Sequence, residues 1–394
     1  MINAPRVALF ADTFHEINGA ANVLRRLVCF ARDNNFPLMC VLAGKKTRFQ
    51  KDGSLHIYEF ERSKLSIPID GELRYDPLFW RFRKFIGEKL DEFKPDVIHM
   101  TGLNDVSQLG FYFAHYRSLA AVASWHTNAH EYASSRLLCA LRWLPAKMQK
   151  RVDRTVQNTV MSGLMKLYYL AQVQLAPNEE LVAQIQKMTR RPAFLMTRGV
   201  DTEFLSPCKR RRNDSTFVLG YVGRLRPEKN VRFFAEVEKA LRNAGITDYK
   251  IVLVGDGSDK EWLENNLQNV EIKGVLHGEK LAEAYADMDL FVFPSGTDAF
   301  GNVVLEAMAA GVPAVVMPEG GPKFLIEHNV NGFVAASRDG FLENIVELAG
   351  HPQRLAPMRE PAREAACERS WERVFESVYD KYHLSTIVSK DVRV

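Results

Sequence analysis

Short apolar runs of strand length alternate with stretches of helical period along almost the whole chain, and this alternation restricts the fold more than any other feature. Residues 6–10 read as a buried strand, 22–32 as a helix and 38–43 as a strand. Residues 78–92 read as a helix, 96–99 as a strand opened by the breaker Lys94-Pro95, and 120–125 as another short apolar run. The rhythm restarts after Pro207, with strands at 216–222, 250–254, 270–273, 290–294 and 314–317. Helical patterns at 231–244, 260–266, 280–287 and 302–310 separate them. Strands joined through helices pair in parallel, so the expected fold is α/β with doubly wound, Rossmann-like sheets. A chain of 394 residues exceeds one ordinary core and predicts two of about 180–200 residues. We expect domains at 1–205 and 206–370, then a terminal helical segment, 371–394. The polar stretch 209–214, rich in arginine, reads as an exposed linker. Ligands of such sheets bind beyond the carboxyl ends of the strands, which predicts a site in the cleft between two of them.

Composition narrows the partners. The net charge of +4 divides into +8 over residues 1–205 and −4 over 206–394. A basic first half is suited to something anionic, such as phosphates or a lipid surface, and no nucleic-acid module is visible. The five cysteines are odd in number, scattered and without a CxxC pair, as free thiols in a reducing compartment would be. No run approaches the roughly 18–20 apolar residues of a spanning helix. A cytoplasmic protein touching the inner face of the cell membrane at most peripherally is expected.

Two segments have the residues for chemistry. In 221–230, Gly223 follows a strand, and Arg224 and Lys229 lie in the loop before the next helix. Two cations with free backbone N–H groups make a diphosphate site; as isolated residues they would be surface charges. In 295–306, Asp298 projects from a loop at the carboxyl end of a strand and Glu306 lies one turn inside the following helix. Gly301 permits close approach to the helix N-terminus, and a carboxylate accepts from two neighbouring hydroxyls of a sugar at once. A plain capping role for Asp298 is the alternative. That helix is apolar nearly all round, so without a ligand Glu306 would be a buried, unpaired acid.

The pattern Asp298…Glu306 in TDAFGNVVLEAMAAGVPAVV resembles the signature of family 4 retaining glycosyltransferases with the GT-B fold. ADTFHEINGAANVL, PDVIHMTG, SWHTNAHEY, RGVDTEFLSP, GYVGRLRPEKN and VLVGDGSDKEWLE resemble the same family. The likeness runs from about residue 6 to 335, with the helical stretch 371–382 also fitting, and its style is that of lipid-glycosylating, mannosyltransferase-like members. It implies transfer of a hexosyl unit from a UDP- or GDP-sugar to a lipid, lipid-linked or glycan acceptor. The first domain would bind the acceptor and the second the nucleotide. Gly19 would bring backbone to the donor phosphates, and His126 would contact the transferred sugar. Arg224 and Lys229 would hold the diphosphate and stabilise the leaving group. Asp298 would bind sugar hydroxyls beside the N–H groups of Phe300, Gly301 and Asn302, Glu306 the ribose, and Val275 and Leu276 the base. The first acid is often Glu in the family and is Asp here; Arg198 stands where many relatives have Asn. No Asp-x-Asp motif marks the donor site, so transfer without a metal or other cofactor is expected.

Other signals carry less. His126, His130 and Glu131 do not make HExxH and have no third ligand in view. Gly255-Asp256-Gly257 lacks the third glycine of a dinucleotide fingerprint and reads as a tight turn. Residues 136–156 are basic and amphipathic, fitting either a helix lying on anionic lipid or a surface helix packed on the core and broken at Pro145. A nucleotide-sugar epimerase or a non-catalytic nucleotide-sugar-binding protein on the same scaffold is the competing class. An epimerase needs acid and base groups around the sugar that are not identifiable, and a degenerate binder would lose the diphosphate pair or Glu306.

Overall fold

The computed structural model describes residues 4–16, 19–70, 73–126 and 145–391. The chain divides into two compact units, Met1–Thr197 together with Glu372–Val394, and Arg198–Trp371.

The first unit opens with β1 (Val7–Ala11), buried at every position. A strand covered on both faces has no polar side to alternate with, which is why its sequence is a continuous apolar run. α1 (Gly19–Asp33) buries Val23, Leu24, Leu27, Val28 and Ala31 at helical spacing and leads into β2 (Leu38–Gly44). β3 (Arg48–Asp52) and β4 (Leu55–Glu61) form a hairpin, and β5 (Ile67–Asp70) and β6 (Leu73–Tyr75) a separate two-stranded ribbon. α2 (Arg83–Phe93) is preceded by a 3-10 turn at Phe79–Phe82, so the helix expected over 78–92 is two pieces. Then come β7 (Val97–Met100), α3 (Asp105–Tyr116), β8 (Ala120–Ser124), α4 (Ala146–Tyr168), β9 (Val173–Ala176), α5 (Glu179–Thr189) and β10 (Ala193–Leu195). The sheet order is β10-β9-β8-β7-β1-β2-β4-β3, parallel except for the edge strand β3, whose residues are all exposed.

The second unit alternates without interruption: β11 (Phe217–Val222), α6 (Phe234–Asn243), β12 (Tyr249–Val254), α7 (Lys260–Asn266), β13 (Val270–Gly274), α8 (Glu279–Ala286), β14 (Leu290–Phe293), α9 (Asn302–Ala309) and β15 (Ala314–Val316). β16 (Gly332–Val334), α10 (Arg338–Gly350) and α11 (Ala356–Cys367) complete it. Its sheet, β13-β12-β11-β14-β15-β16, is parallel throughout. α12 (Trp371–Asp391) belongs to the first unit from Glu372 onward. There its aromatic face meets α1 and the following turn, with Phe375 5.6 Å from Phe30 and Tyr379 4.7 Å from Phe36 between ring centroids.

The stretch 209–214 is not a free linker. It lies inside the second unit, where Arg210 and Arg212 both donate to Asp289 at 2.9 Å and Arg211 N–H donates to Asp287. Arg359 reaches the same Asp289 at 3.0 Å. A run of arginines looks solvated in sequence, but a convergent acid from the segment before β14 changes its place.

Candidate active site

The second sheet reverses its strand order between β11 and β14. From β11 the chain moves out to β12 and β13, then returns to the other side of β11 for β14, β15 and β16. β11 and β14 are neighbours in register, Leu219 opposite Leu290, so the loops that follow them leave the sheet side by side. Lys229 ends a 3-10 turn, Pro227–Lys229, in the first of these loops. Its Nζ donates to Asp298 Oδ1 of the second loop at 2.6 Å, and Ser295 Oγ donates to Asp298 Oδ2 at 2.6 Å. Asn230, in a left-handed conformation (φ 53°), donates from Nδ2 to the carbonyl of Pro294, and Thr297 Oγ1 donates to the carbonyl of Glu228. The two loops are thus tied together by side chains from both.

Arg224 is a third exposed, its guanidinium 3.8 Å from Glu228 Oε1. Its loop is braced from beneath: the Tyr221 phenol donates to the Arg224 carbonyl at 3.1 Å, and Leu225 N–H to the carbonyl of Asp256 at 2.9 Å. The turn Gly255-Asp256-Gly257 is therefore a buttress for this loop. Gly255 has φ 142°, and a Cβ there would collide with the carbonyl oxygen of Gly223.

α9 starts from Gly301, whose φ of 92° and the position of Pro322, with Cγ 2.7 Å from where a Cβ would stand, exclude other residues. The first N–H groups of any helix lack intrahelical partners, and here they belong to Asn302 and its neighbours. Phe300 beside them is buried. Glu306, half-buried on the next turn, accepts from the Tyr285 phenol at Oε2, 2.6 Å. This corrects the expectation of an unpaired acid: α8 supplies a fully buried donor. Burial pushes the Glu306 carboxyl above its ordinary range, and the Tyr285 hydrogen bond opposes that. Gly274 closes β13 with φ 67°; beyond it Val275 is exposed and Leu276 packs partly on the core. Arg198 is buried, and burial brings its guanidinium down to about 10, so it remains charged at neutral pH.

In the first unit, Gly19 is the exposed first residue of α1, and His126 follows β8. His126 Nε2 lies 2.7 Å from Ser124 Oγ, which lies 2.8 Å from His99 Nε2; His99 Nδ1 lies 2.7 Å from the Tyr382 phenol. His130, Glu131 and the portion 136–144 of the basic segment lie outside the described residues. The part that is described enters α4, with Val152 and Val156 half-buried and Met148 exposed.

Four of the sequence-predicted residues, Arg224, Lys229, Asp298 and Glu306, thus stand in the loops and helix that flank one strand-order reversal, and two of them touch. Ser295 and Tyr285, which hold the two acids, went unnamed in the sequence. Ser295 leaves a local trace, three residues before Asp298; Tyr285 leaves none, since its partner is on another helix. Cations beside backbone N–H groups can neutralise phosphate oxygens, and the two acids can accept hydroxyls. Among the described residues no three His, Cys, Asp or Glu side chains converge as a metal cluster would require, and no helix is long and apolar enough to cross a membrane.

Two doubly wound units, the second with a cationic loop and a carboxylate-bearing loop at its strand-order reversal, have the architecture of the GT-B fold. Residues 216–351 match the family described as glycosyl transferases group 1. The chain is 26% identical to a GDP-mannose-dependent alpha-mannosyltransferase of Corynebacterium glutamicum, over 85% of this chain and 77% of that protein. It is 29% identical to the protein of the same name from Mycolicibacterium smegmatis, over 82% of each. Among solved structures, the sucrose-phosphate synthase of Thermosynechococcus elongatus superposes with a TM-score of 0.73 at 16% identity, covering 96% of this chain and 98% of that one.

Proposed function

We propose that this enzyme transfers a hexosyl unit, with retention and without a metal, from a nucleotide diphosphate sugar to a lipid or lipid-linked acceptor. The observation that carries the reading is the Lys229–Asp298–Ser295 assembly at the reversal between β11 and β14. GDP-mannose is the first donor to test, because that is the donor named for the two mannosyltransferases to which the chain is similar.

In this reading Arg224 and Lys229 take the diphosphate and stabilise the charge that grows as the bond to the anomeric carbon breaks. Asp298 orders Lys229 and meets sugar hydroxyls through its remaining lone pairs, with the N–H groups of Phe300, Gly301 and Asn302 beside it. Glu306 takes the ribose hydroxyls through Oε1, since Oε2 is engaged by Tyr285. Val275 and Leu276 line the base. Gly19 and His126 act from the first unit, His126 on the transferred hexose. The acceptor oxygen attacks the anomeric carbon on the face the nucleotide leaves, and its proton passes to the departing phosphate oxygen. The enzyme's part is position and electrostatics.

The basic balance of the first half supports an anionic or lipid-linked acceptor, and the segment 136–156 is where contact with an anionic membrane is proposed. The test is a panel of GDP- and UDP-sugars with the full-length chain, followed by nucleotide release and by the anomeric configuration of the product. GDP-mannose turnover with retention is expected, lost in Arg224→Ala and Lys229→Ala. Failure of every donor to bind, or full activity in both variants, overturns the reading. Liposome sedimentation unaltered by neutralising Lys147, Lys150 and Arg151 removes the membrane contact.

A further inference from the structure

Four polar side chains of the first unit stand in single file, three of them completely buried. His99 on β7 is paired with Val122 on β8, and Ser124, two residues on, shares that face of the sheet. α12 brings Tyr382 onto the same side chain of His99, edge to face at 5.5 Å between centroids. The hydrogen bonds run Tyr382 OH to His99 Nδ1 (2.7 Å), His99 Nε2 to Ser124 Oγ (2.8 Å) and Ser124 Oγ to His126 Nε2 (2.7 Å).

The direction of this file is determined by its buried end. Tyr382 has no exposed surface, and among the described residues His99 Nδ1 is the acceptor within reach of its phenol hydrogen. A buried O–H without an acceptor is disfavoured, so Tyr382 donates and His99 Nδ1 accepts. Burial keeps His99 neutral, bringing it down to about 3, so its one proton is on Nε2 and is given to Ser124 Oγ. Ser124, already accepting, turns its own hydrogen to His126 Nε2. Were His126 Nε2 protonated instead, Ser124 Oγ could accept from both rings, but the hydrogen of this fully buried hydroxyl would then lack its acceptor at His126.

We infer that Tyr382, His99 and Ser124 are positioning residues that set the tautomer of His126, holding it neutral with its proton on Nδ1. With Nε2 accepting from Ser124, the file puts the ring proton on Nδ1 and makes that nitrogen a donor. A donor there suits a sugar hydroxyl oxygen; the other tautomer would present an acceptor. The consequence for transfer rests on the proposed contact between His126 and the hexose, whereas the tautomer itself does not. It also gives α12 a place in the chemistry from the far end of the sequence.

The test is 15N NMR of the full-length chain labelled at histidine, at about pH 8, with His126→Gln identifying the His126 signals. In the wild type His126 should show a protonated Nδ1 and a bare Nε2. Tyr382→Phe removes the hydrogen that orients the file, and Ser124→Ala cuts it beside His126; both should shift His126 toward a mixture of tautomers. Both should also lower kcat about tenfold with little change in KM for the nucleotide sugar. If Tyr382→Phe does not fold, Ser124→Ala, which removes one hydroxyl at a strand end, decides. A wild-type His126 protonated on Nε2, or a tautomer indifferent to the folded variants, overturns the inference even if His126→Gln abolishes transfer. Tautomer control with transfer unaffected by His126→Gln upholds the inference and overturns the sugar contact.

Discussion

Replacing Asp298 by Asn separates two things that its ion pair combines, the stability of the loops and the capture of the donor. Lys229 Nζ sits 2.6 Å from Asp298, with side-chain exposures of 10% and 21%. Breaking a fully buried pair costs about 3–5 kcal/mol and an exposed one below about 1 kcal/mol. This intermediate burial puts Asp298→Asn at about 2 kcal/mol, because the amide keeps a contact with Ser295 but cannot neutralise the ammonium. For a unit the size of Arg198–Trp371 that is a fall in Tm of roughly 4–8 °C. If Lys229 holds the diphosphate as proposed, a nucleoside diphosphate supplies the missing negative charge. At a hundredfold excess over Kd, binding adds about 2.7 kcal/mol to any variant that retains its affinity.

Asp298→Asn should therefore be less stable when empty yet gain at least as much from GDP or UDP as the wild type, since no carboxylate competes for Lys229. Lys229→Met should lose comparable stability, for the reciprocal reason, and gain much less from nucleotide. Transfer should be lost in both. The measurements are thermal unfolding of the full-length chain with and without each nucleotide, and calorimetric Kd values. A smaller nucleotide shift in Asp298→Asn than in wild type, with the shift kept in Lys229→Met, would refute the assignment of Lys229 to the diphosphate.

Tyr285→Phe removes the hydrogen bond that opposes the upward shift of Glu306, so its carboxyl should move further toward the neutral form. Calorimetry should find nucleoside diphosphate bound about 5–30-fold more weakly, and unchanged affinity in both this variant and Glu306→Gln would remove Glu306 from the ribose. Two buried groups of the first unit have opposed pH linkages. Burial takes His99 down to about 3 from 6.5, so the unfolded chain is protonated first and this stability is lost as pH falls below about 6.5. Burial pushes Asp12 up to about 6 from 3.8, so the folded chain is protonated first and stability rises as pH falls from about 6 toward about 4. The two offset each other in that window. Denaturant titrations at about pH 6 and about pH 4 should show Asp12→Asn losing about 2–3 kcal/mol more than wild type on acidification, and parallel curves would refute the linkage.

Periodicity was enough for the repeating elements, because a strand buried on both faces and a helix with one apolar stripe leave different traces. It failed where the trace is ambiguous. The β3–β4 hairpin has an exposed edge strand in which Phe49 stands among charged and polar residues, and its one strong signal is the turn at Asp52-Gly53. The 3-10 turns at Phe79–Phe82 and Val231–Phe233 were hidden within longer helical patterns, since both kinds of turn accept the same residues. In the site, residue type and setting picked out Lys229 and Asp298 separately, but not that they touch. They are 69 residues apart, and only the strand order places their loops together. The error over Glu306 has the same origin: an apolar helix shows that an acid is drawn toward the core, not who waits for it from the neighbouring helix. Nor could any local pattern join His99, Ser124 and Tyr382, the last of which is 283 residues from its partner.

The side chains of the site are closer to electroneutral than its arginine and lysine imply. Lys229 is matched by Asp298, Arg224 stands near Glu228, and burial inclines Glu306 toward its neutral form. The half of the chain that contains it is slightly acidic, at −4. Long-range attraction is therefore a weak means of gathering a polyanionic donor here. In the proposed reading the site offers exchange at short range instead: an incoming diphosphate takes over an ammonium already fixed in place, and Asp298, released from full duty to Lys229, has lone pairs for sugar hydroxyls. Binding of the nucleotide and recognition of the sugar are then one event, coupled through a single carboxylate. An aspartate suits that coupling because its short side chain reaches both Ser295 in its own loop and Lys229 in the next. The identity of this acid bears on donor selectivity through what it must let go of as well as through what it grasps.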